Sequence, residues 1–332
     1  MFVVWVYRVI KRSGKKLTSL PKGSHLLWRW YIIFTKRLIQ RLCLSKPFGL
    51  GKATCFAGGL LLNFLMILVV VGVFIAGGMC YLIESAPITL FTSANIQNNY
   101  EPYGYVAHAL GSIDGRTYTN SKEAFELNYK KGFRIFEVDI VLLKDGTVFC
   151  AHNNVGSKYG LSKSFAETTM GELSGTLCLG KYTPLNGSQL LDLLNEYKDV
   201  YIITDTKYSH IAIMKILVAE AKKKYPSVLD RIIPHIAGAS DLRQMRRIYP
   251  FRYYMLALYR SSMNDDEVVE FVEDSNISAV MMWWDIRYTH EFKERLKRVG
   301  AVTYVHSLSD PEKIASFRKQ GVGVYTNCSF PE

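Results

Sequence analysis

Residues 135–154 read IFEVDIVLLKDGTVFCAHNN. The first nine residues form an apolar run interrupted by two carboxylates, Glu137 and Asp139, with Val138 between them. In a strand, side chains alternate, so both carboxylates share one face while Phe136 and Val138 share the other. Where the apolar face lies outward in a barrel, Glu137 and Asp139 point inward. Two inward carboxylates repel and are costly to desolvate. A divalent cation is the simplest remedy, because hard cations take oxygen ligands; a salt bridge to a barrel lysine is the alternative. Asp145-Gly146 suits a tight hairpin turn. The chain then doubles back and returns His152 toward the two carboxylates.

Outward from this stretch the pattern repeats. Strand-like runs begin at Tyr105 (YVAHAL), Val200 (VYIITDTK), Arg231 (RIIPHIAG), Tyr254 (YMLALY), Ala279 (AVMMWWD), Val302 (VTYVHS) and Val322 (VGVYTN). Helix-like runs separate them, several closed by a glycine suited to a C-cap, as at Gly132, Gly300 and Gly321. Eight strands alternating with helices predict an α/β fold, a TIM (β/α)8 barrel, over residues 103–332. An open doubly wound sheet is the rival, weakened because no Gly-rich dinucleotide loop follows the first strand. Asn153 to Gly187 reads as a long irregular insertion of the kind that shapes a site. Polar residues gather where strands end. His108 lies in the first run, and Asp205 and Lys207 share a face at the end of the third. The C-terminal ends of barrel strands are where catalytic groups are expected.

The net charge of +12 does not point to nucleic acid. Twelve Lys and Arg and no Asp or Glu lie between Met1 and Lys52, so this segment carries the whole excess. No charged residue follows from Ala53 to Ile83, a run long enough to span a bilayer of about 20 apolar residues. The domain reading is therefore a basic cytoplasmic segment 1–52, a transmembrane helix 53–83 serving as an uncleaved signal anchor, a linker 84–102 and the barrel. A cleaved signal peptide would need a far longer n-region than usual. The positive-inside rule places the N-terminus in the cytoplasm and the barrel outside, on a single-pass cell-membrane protein. Basic residues beside the span suit anionic headgroups. Leu26 to Leu44 reads either as an interfacial helix or as a basic tail. No CxxC pair occurs; Cys150, Cys178 and Cys328 fall outside the membrane, where one disulfide is allowed.

The stretch from Ala107 to Asn154 resembles the opening of glycerophosphodiester phosphodiesterase domains, relatives of phosphatidylinositol-specific phospholipases C. Their motifs are matched at His108, Tyr118 to Ser121, Glu137-x-Asp139, Asp145-Gly146 and His152, and then at Asp205-x-Lys207. The resemblance covers Tyr105 to Lys207; beyond it only the barrel rhythm continues. It implies a Ca²⁺ or Mg²⁺ site with Glu137, Asp139 and Asp205 as ligands. It makes His108 and His152 the general acid and base, and gives Lys207 the task of neutralising phosphate charge. The implied substrate is a glycerophosphodiester or related phosphodiester.

Three positions depart from the family pattern. Ala109 stands where the family has a phosphate-holding Arg, Asn153 where it has Asp, and Tyr118-Thr119 where it has Pro-Glu. The missing Arg leaves the phosphate to Lys207, or to a distant Arg such as Arg116 or Arg287. Phospholipase C or D action on membrane lipids and a non-catalytic phosphate-binding barrel are the alternative functions. His210 and His235 read as structural or surface histidines and His290 as solvated, while His306 ends a strand at the mouth. Of Trp283 and Trp284, one is expected to pack outward and the other to face the barrel interior or mouth.

Overall fold

The computed structural model describes Phe91 and residues 103–327. Segments 1–52 and 53–83, the linker apart from Phe91, and Cys328 lie outside the described residues. Among the described residues, no helix is long and apolar enough to cross a membrane.

The chain alternates as the sequence predicts: β1 (Tyr105–Ala107), α1 (Lys122–Lys130), β2 (Ile135–Leu142), β3 (Val148–Cys150), α2 (Met170–Leu173), α3 (Gly187–Glu196), β4 (Tyr201–Thr206) and α4 (His210–Lys224). There follow β5 (Ile232–Ile236), α5 (Ala239–Ile248), β6 (Met255–Ala257), α6 (Asp265–Ser275), β7 (Ala279–Trp283), α7 (His290–Arg298), β8 (Val302–Leu308), α8 (Pro311–Lys319) and β9 (Gly323–Thr326). Eight of these strands pair in parallel in the order β1-β9-β8-β7-β6-β5-β4-β2, and β1 pairs with β2 to close the barrel. An open sheet is thereby excluded. β3 stands outside the ring, antiparallel to the last residues of β2.

Local chemistry sets the helix starts. Ser121, Asn186, Asn264, Thr289 and Asp310 each accept a backbone N–H of the first turn. Such caps contribute about 1 kcal/mol each. Gly132 and Gly300 follow their helices at φ 104° and 86°, the left-handed region that favours glycine.

Two layers of core flank the strands. Phe136, Val138, Ile140, Ile202 and Val280 face the helices. Val106, Ile135, Ile203, Ile233, Met281 and Tyr304 fill the barrel interior. Phe91 joins that inner layer, edge-on to Tyr253 at 5.5 Å and Tyr304 at 5.8 Å between centroids. The insertion after β3 is more ordered than its sequence suggests. It builds its own apolar cluster of Phe149, Tyr159, Phe165, Leu173, Cys178 and Tyr182. Cys150 and Cys178 are buried free thiols, so they form no disulfide with each other.

Candidate active site

The inner ladder of the barrel changes character along each strand. Val106 is followed two residues later by His108, Ile135 by Glu137 and then Asp139, and Ile203 by Asp205 and then Lys207. Likewise Ile233 leads to His235, Met281 to Trp283, Tyr304 to His306 and Tyr325 to Asn327. Period-two alternation therefore delivers all these polar groups to the same end of the barrel, the C-terminal mouth.

Three of the side chains converge. Ligand oxygens of Glu137, Asp139 and Asp205 lie within 4.8 Å of one another, and all three residues are buried. Asp139 and Asp205 are register partners across β2 and β4, which is why they meet. Each carboxylate is held through one oxygen. The Ala109 N–H donates to Glu137 Oε2 at 2.7 Å, Asn120 Nδ2 to Asp139 Oδ2 at 3.0 Å, and the Tyr259 hydroxyl to Asp205 Oδ2 at 2.9 Å. The other oxygen of each, Glu137 Oε1, Asp139 Oδ1 and Asp205 Oδ1, is buried without a hydrogen bond. Lys207 Nζ lies 3.3 Å from Asp139 Oδ1 and pairs with Asp205 Oδ2. The lysine bridge weighed from the sequence is thus present, but one ammonium faces three carboxylates.

The electrostatics follow from that shortfall. Burial, then Asp139 and Asp205, push the Glu137 carboxyl well above its usual range. Burial also works against the Asp205 charge, but His235 and Lys207 outweigh it and hold that carboxyl low. Burial disfavours the Lys207 ammonium as well, and Asp139, Asp205 and Glu137 overcome it, raising its pKa. Three buried carboxylates with free oxygens and too little positive charge fit a hard divalent cation.

His108 begins a tight turn after β1 in which Ala109, Leu110 and Gly111 all have positive φ. Asn128 of α1 fixes that turn by donating to Leu110 O and Ser112 O, and a Cβ on Gly111 would meet its side chain at 2.2 Å. His108 Nδ1 donates to Asn327 Oδ1 at 2.9 Å, and Nε2 lies 3.8 Å from Glu137 Oε2. Burial lowers the His108 pKa. His152 stands on the loop after β3, half-buried. The Tyr118 ring touches both imidazoles edge-on, at 4.9 Å from His108 and 5.4 Å from His152. The residue marked in the sequence as a departure from a family motif therefore spaces the two histidines.

The remaining polar candidates lie partly at the mouth and partly away from it. Arg116 is exposed, while Arg287 spends its guanidinium on Asp265 and Met263 O. Arg260, not singled out in the sequence, does reach the mouth: its NH1 lies 3.9 Å from Asp205 Oδ1. Of the structural and surface readings of His235 the first holds: it is buried inside the barrel, with Nδ1 3.8 Å from Asp205 Oδ1. His210 is half-buried at the start of α4, bonded to Thr206. His306 lies at the mouth, its ring tilted by 35° against that of the 42% exposed Trp283, with centroids 4.2 Å apart. Trp284 packs outward, with Lys313 over its ring.

No protein-family model and no curated protein matches the sequence. Solved structures do. A glycerophosphodiester phosphodiesterase from Thermotoga maritima is 23% identical at a TM-score of 0.52, over 67% of this chain and 93% of that one. A second, from Parabacteroides distasonis, is 16% identical at a TM-score of 0.55, over 68% and 92%. An Oleispira antarctica phosphodiesterase, solved with the product sn-glycerol-3-phosphate, is 14% identical at 0.58, over 68% and 93%. The barrel thus has the fold seen in glycerophosphodiester phosphodiesterases.

Proposed function

We propose that the barrel is a phosphoric diester hydrolase, a divalent-metal-dependent phosphodiesterase acting on glycerophosphodiesters at the exterior membrane face. The observation that carries this reading is the buried trio Glu137, Asp139 and Asp205. Their unbonded oxygens lie together at the barrel mouth, with Lys207 and His108 beside them. The name of the Oleispira neighbour's product supports a phosphate monoester as the outcome here too.

Glu137, Asp139 and Asp205 would hold the cation, Ca²⁺ or Mg²⁺, which when bound would supply positive charge against the phosphate. Lys207 adds its positive charge to the same phosphate oxygens. His108 takes the proton of the attacking hydroxyl, the substrate's own neighbouring OH, whose oxygen bonds to phosphorus as the alcohol leaves; water then opens the cyclic phosphate to the monoester. Its Nδ1–H is committed to Asn327, which leaves Nε2 as the lone pair, and burial keeps the ring neutral. His152, nearer solvent on its loop, protonates the departing alkoxide. The span 53–83 and the basic segment 1–52 tether the barrel to the membrane, close to headgroup-derived diesters.

The test is the full-length chain in detergent, assayed for alcohol release from a panel of glycerophosphodiesters. Activity is expected with Ca²⁺, Mg²⁺ or Mn²⁺ and none with excess chelator. A clean preparation that releases no alcohol with any of the three ions would overturn the reading. Protease protection of the barrel in sealed cells tests its outward orientation.

A further inference from the structure

The charges at the mouth do not yet balance for a bound substrate. Glu137, Asp139 and Asp205 bring three negative charges, and Lys207 and a divalent cation together bring three positive ones. A phosphodiester adds one more negative charge to a site whose carboxylates are already buried, where an unmatched charge is costly. Ala109, next to His108, offers no side-chain charge and is fully buried.

We propose that Arg260 supplies the missing charge and holds the phosphate from the wall opposite His108. The inference rests on the phosphodiesterase reading and adds a substrate-binding residue to it. Arg260 closes the short 3-10 turn Leu258–Arg260 that leads out of β6 at the mouth. In the closed ring β6 stands four strands from β1 in either direction, diametrically across from His108. The Arg260 side chain is 24% exposed, so it is not sealed off from the mouth. Its NH1 is nevertheless buried and makes no hydrogen bond, and 3.9 Å from Asp205 Oδ1 is too far for one. A guanidinium carries five donors in a planar fork suited to phosphate. Asp205 already has Lys207 as its counter-ion and the Tyr259 hydroxyl as a hydrogen-bond donor, both on Oδ2. Arg287, by contrast, spends its fork on Asp265 and Met263 O.

Calorimetric binding of glycerol 3-phosphate to the full-length, Ca²⁺-loaded chain tests this without turnover. Arg260→Met is expected to weaken binding about tenfold or more, the value of a charge-assisted hydrogen bond. Its KM for a glycerophosphodiester rises in parallel. Arg260→Lys, which keeps the charge but loses the fork, recovers part of the affinity. If Arg260→Met does not fold, a folded Arg260→Lys that binds several-fold more weakly than wild type supports the same conclusion. Affinity within twofold of wild type in either folded variant overturns the Arg260 assignment and leaves the phosphodiesterase reading standing. A wild-type chain that neither binds glycerol 3-phosphate nor turns over substrate overturns both.

Discussion

Asn120 and Asp139 clasp each other from both ends. Asn120 Nδ2 donates to Asp139 Oδ2 at 3.0 Å, and the Asp139 N–H donates to Asn120 Oδ1 at 3.1 Å. Asn120 is fully buried and sits at φ 44°, a left-handed conformation that Asn tolerates better than most residues. The clasp occupies one carboxylate oxygen and leaves the other without a hydrogen bond, open to the proposed cation. Partners of this kind orient ligands and are worth about 10- to 100-fold in metal affinity. Asn120→Ala is expected to weaken Ca²⁺ or Mn²⁺ binding by that factor in calorimetry. An unchanged affinity would show that the clasp does not orient the ligand.

The two imidazoles are separable by leaving group. Alanine at either His108 or His152 should cost about 10²- to 10⁴-fold on an alkyl glycerophosphodiester. A p-nitrophenyl diester leaves without protonation, so it should restore His152→Ala by tenfold or more and leave His108→Ala impaired. The reverse pattern would exchange the two roles, and full activity of His152→Ala on the alkyl substrate would remove it from the mechanism.

Tyr118 acts through its ring. Tyr118→Phe keeps the edge contacts to both histidines and should retain activity within about threefold, whereas Tyr118→Ala should lower kcat about tenfold or more. Equal kcat in the alanine variant would show that the ring does not set their spacing.

Acid should destabilise the fold through histidines buried neutral. Burial pushes His306 down to about 3, with His108 and His235 adding to the effect. The unfolded chain takes up that proton below about pH 6.5 while the folded chain resists it, so stability is complete above 6.5 and falls as pH drops toward 3. His306 alone should cost on the order of 2 kcal/mol between pH 6.5 and 5. His108, His210 and His235 shift in the same direction. His306→Phe should therefore shallow the acid limb of a urea-unfolding series without flattening it. An unchanged slope would show that His306 is not protonated on unfolding in that range.

The sequence disclosed the frame of the molecule with little distortion. Period-two alternation put Glu137 and Asp139 on one inward face, and the same rhythm placed Asp205 and His306 at the mouth. What it withheld depends on pairing and on irregular backbone. The meeting of Asp139 with Asp205 needs the β2–β4 register, which no single strand encodes. Arg260 escaped notice because the 3-10 turn after β6 breaks the alternation that would have aimed it. Asn120 and Tyr118 lie at positive φ in a loop, where neither helix nor strand periodicity applies. His235 was left between a structural and a surface reading because one histidine in an apolar strand looks the same whether it faces the barrel axis or the surrounding helices.

The proposed cation ligands and the proposed proton carriers are anchored differently. Glu137, Asp139 and Asp205 belong to hydrogen-bonded strands of the ring, whereas His152 and Tyr118 hang on loops above it. Rebuilding those loops leaves the ring's ladder intact. The ion cradle is thus a fixed hearth, and the loops are exchangeable furniture through which new leaving groups can be accommodated.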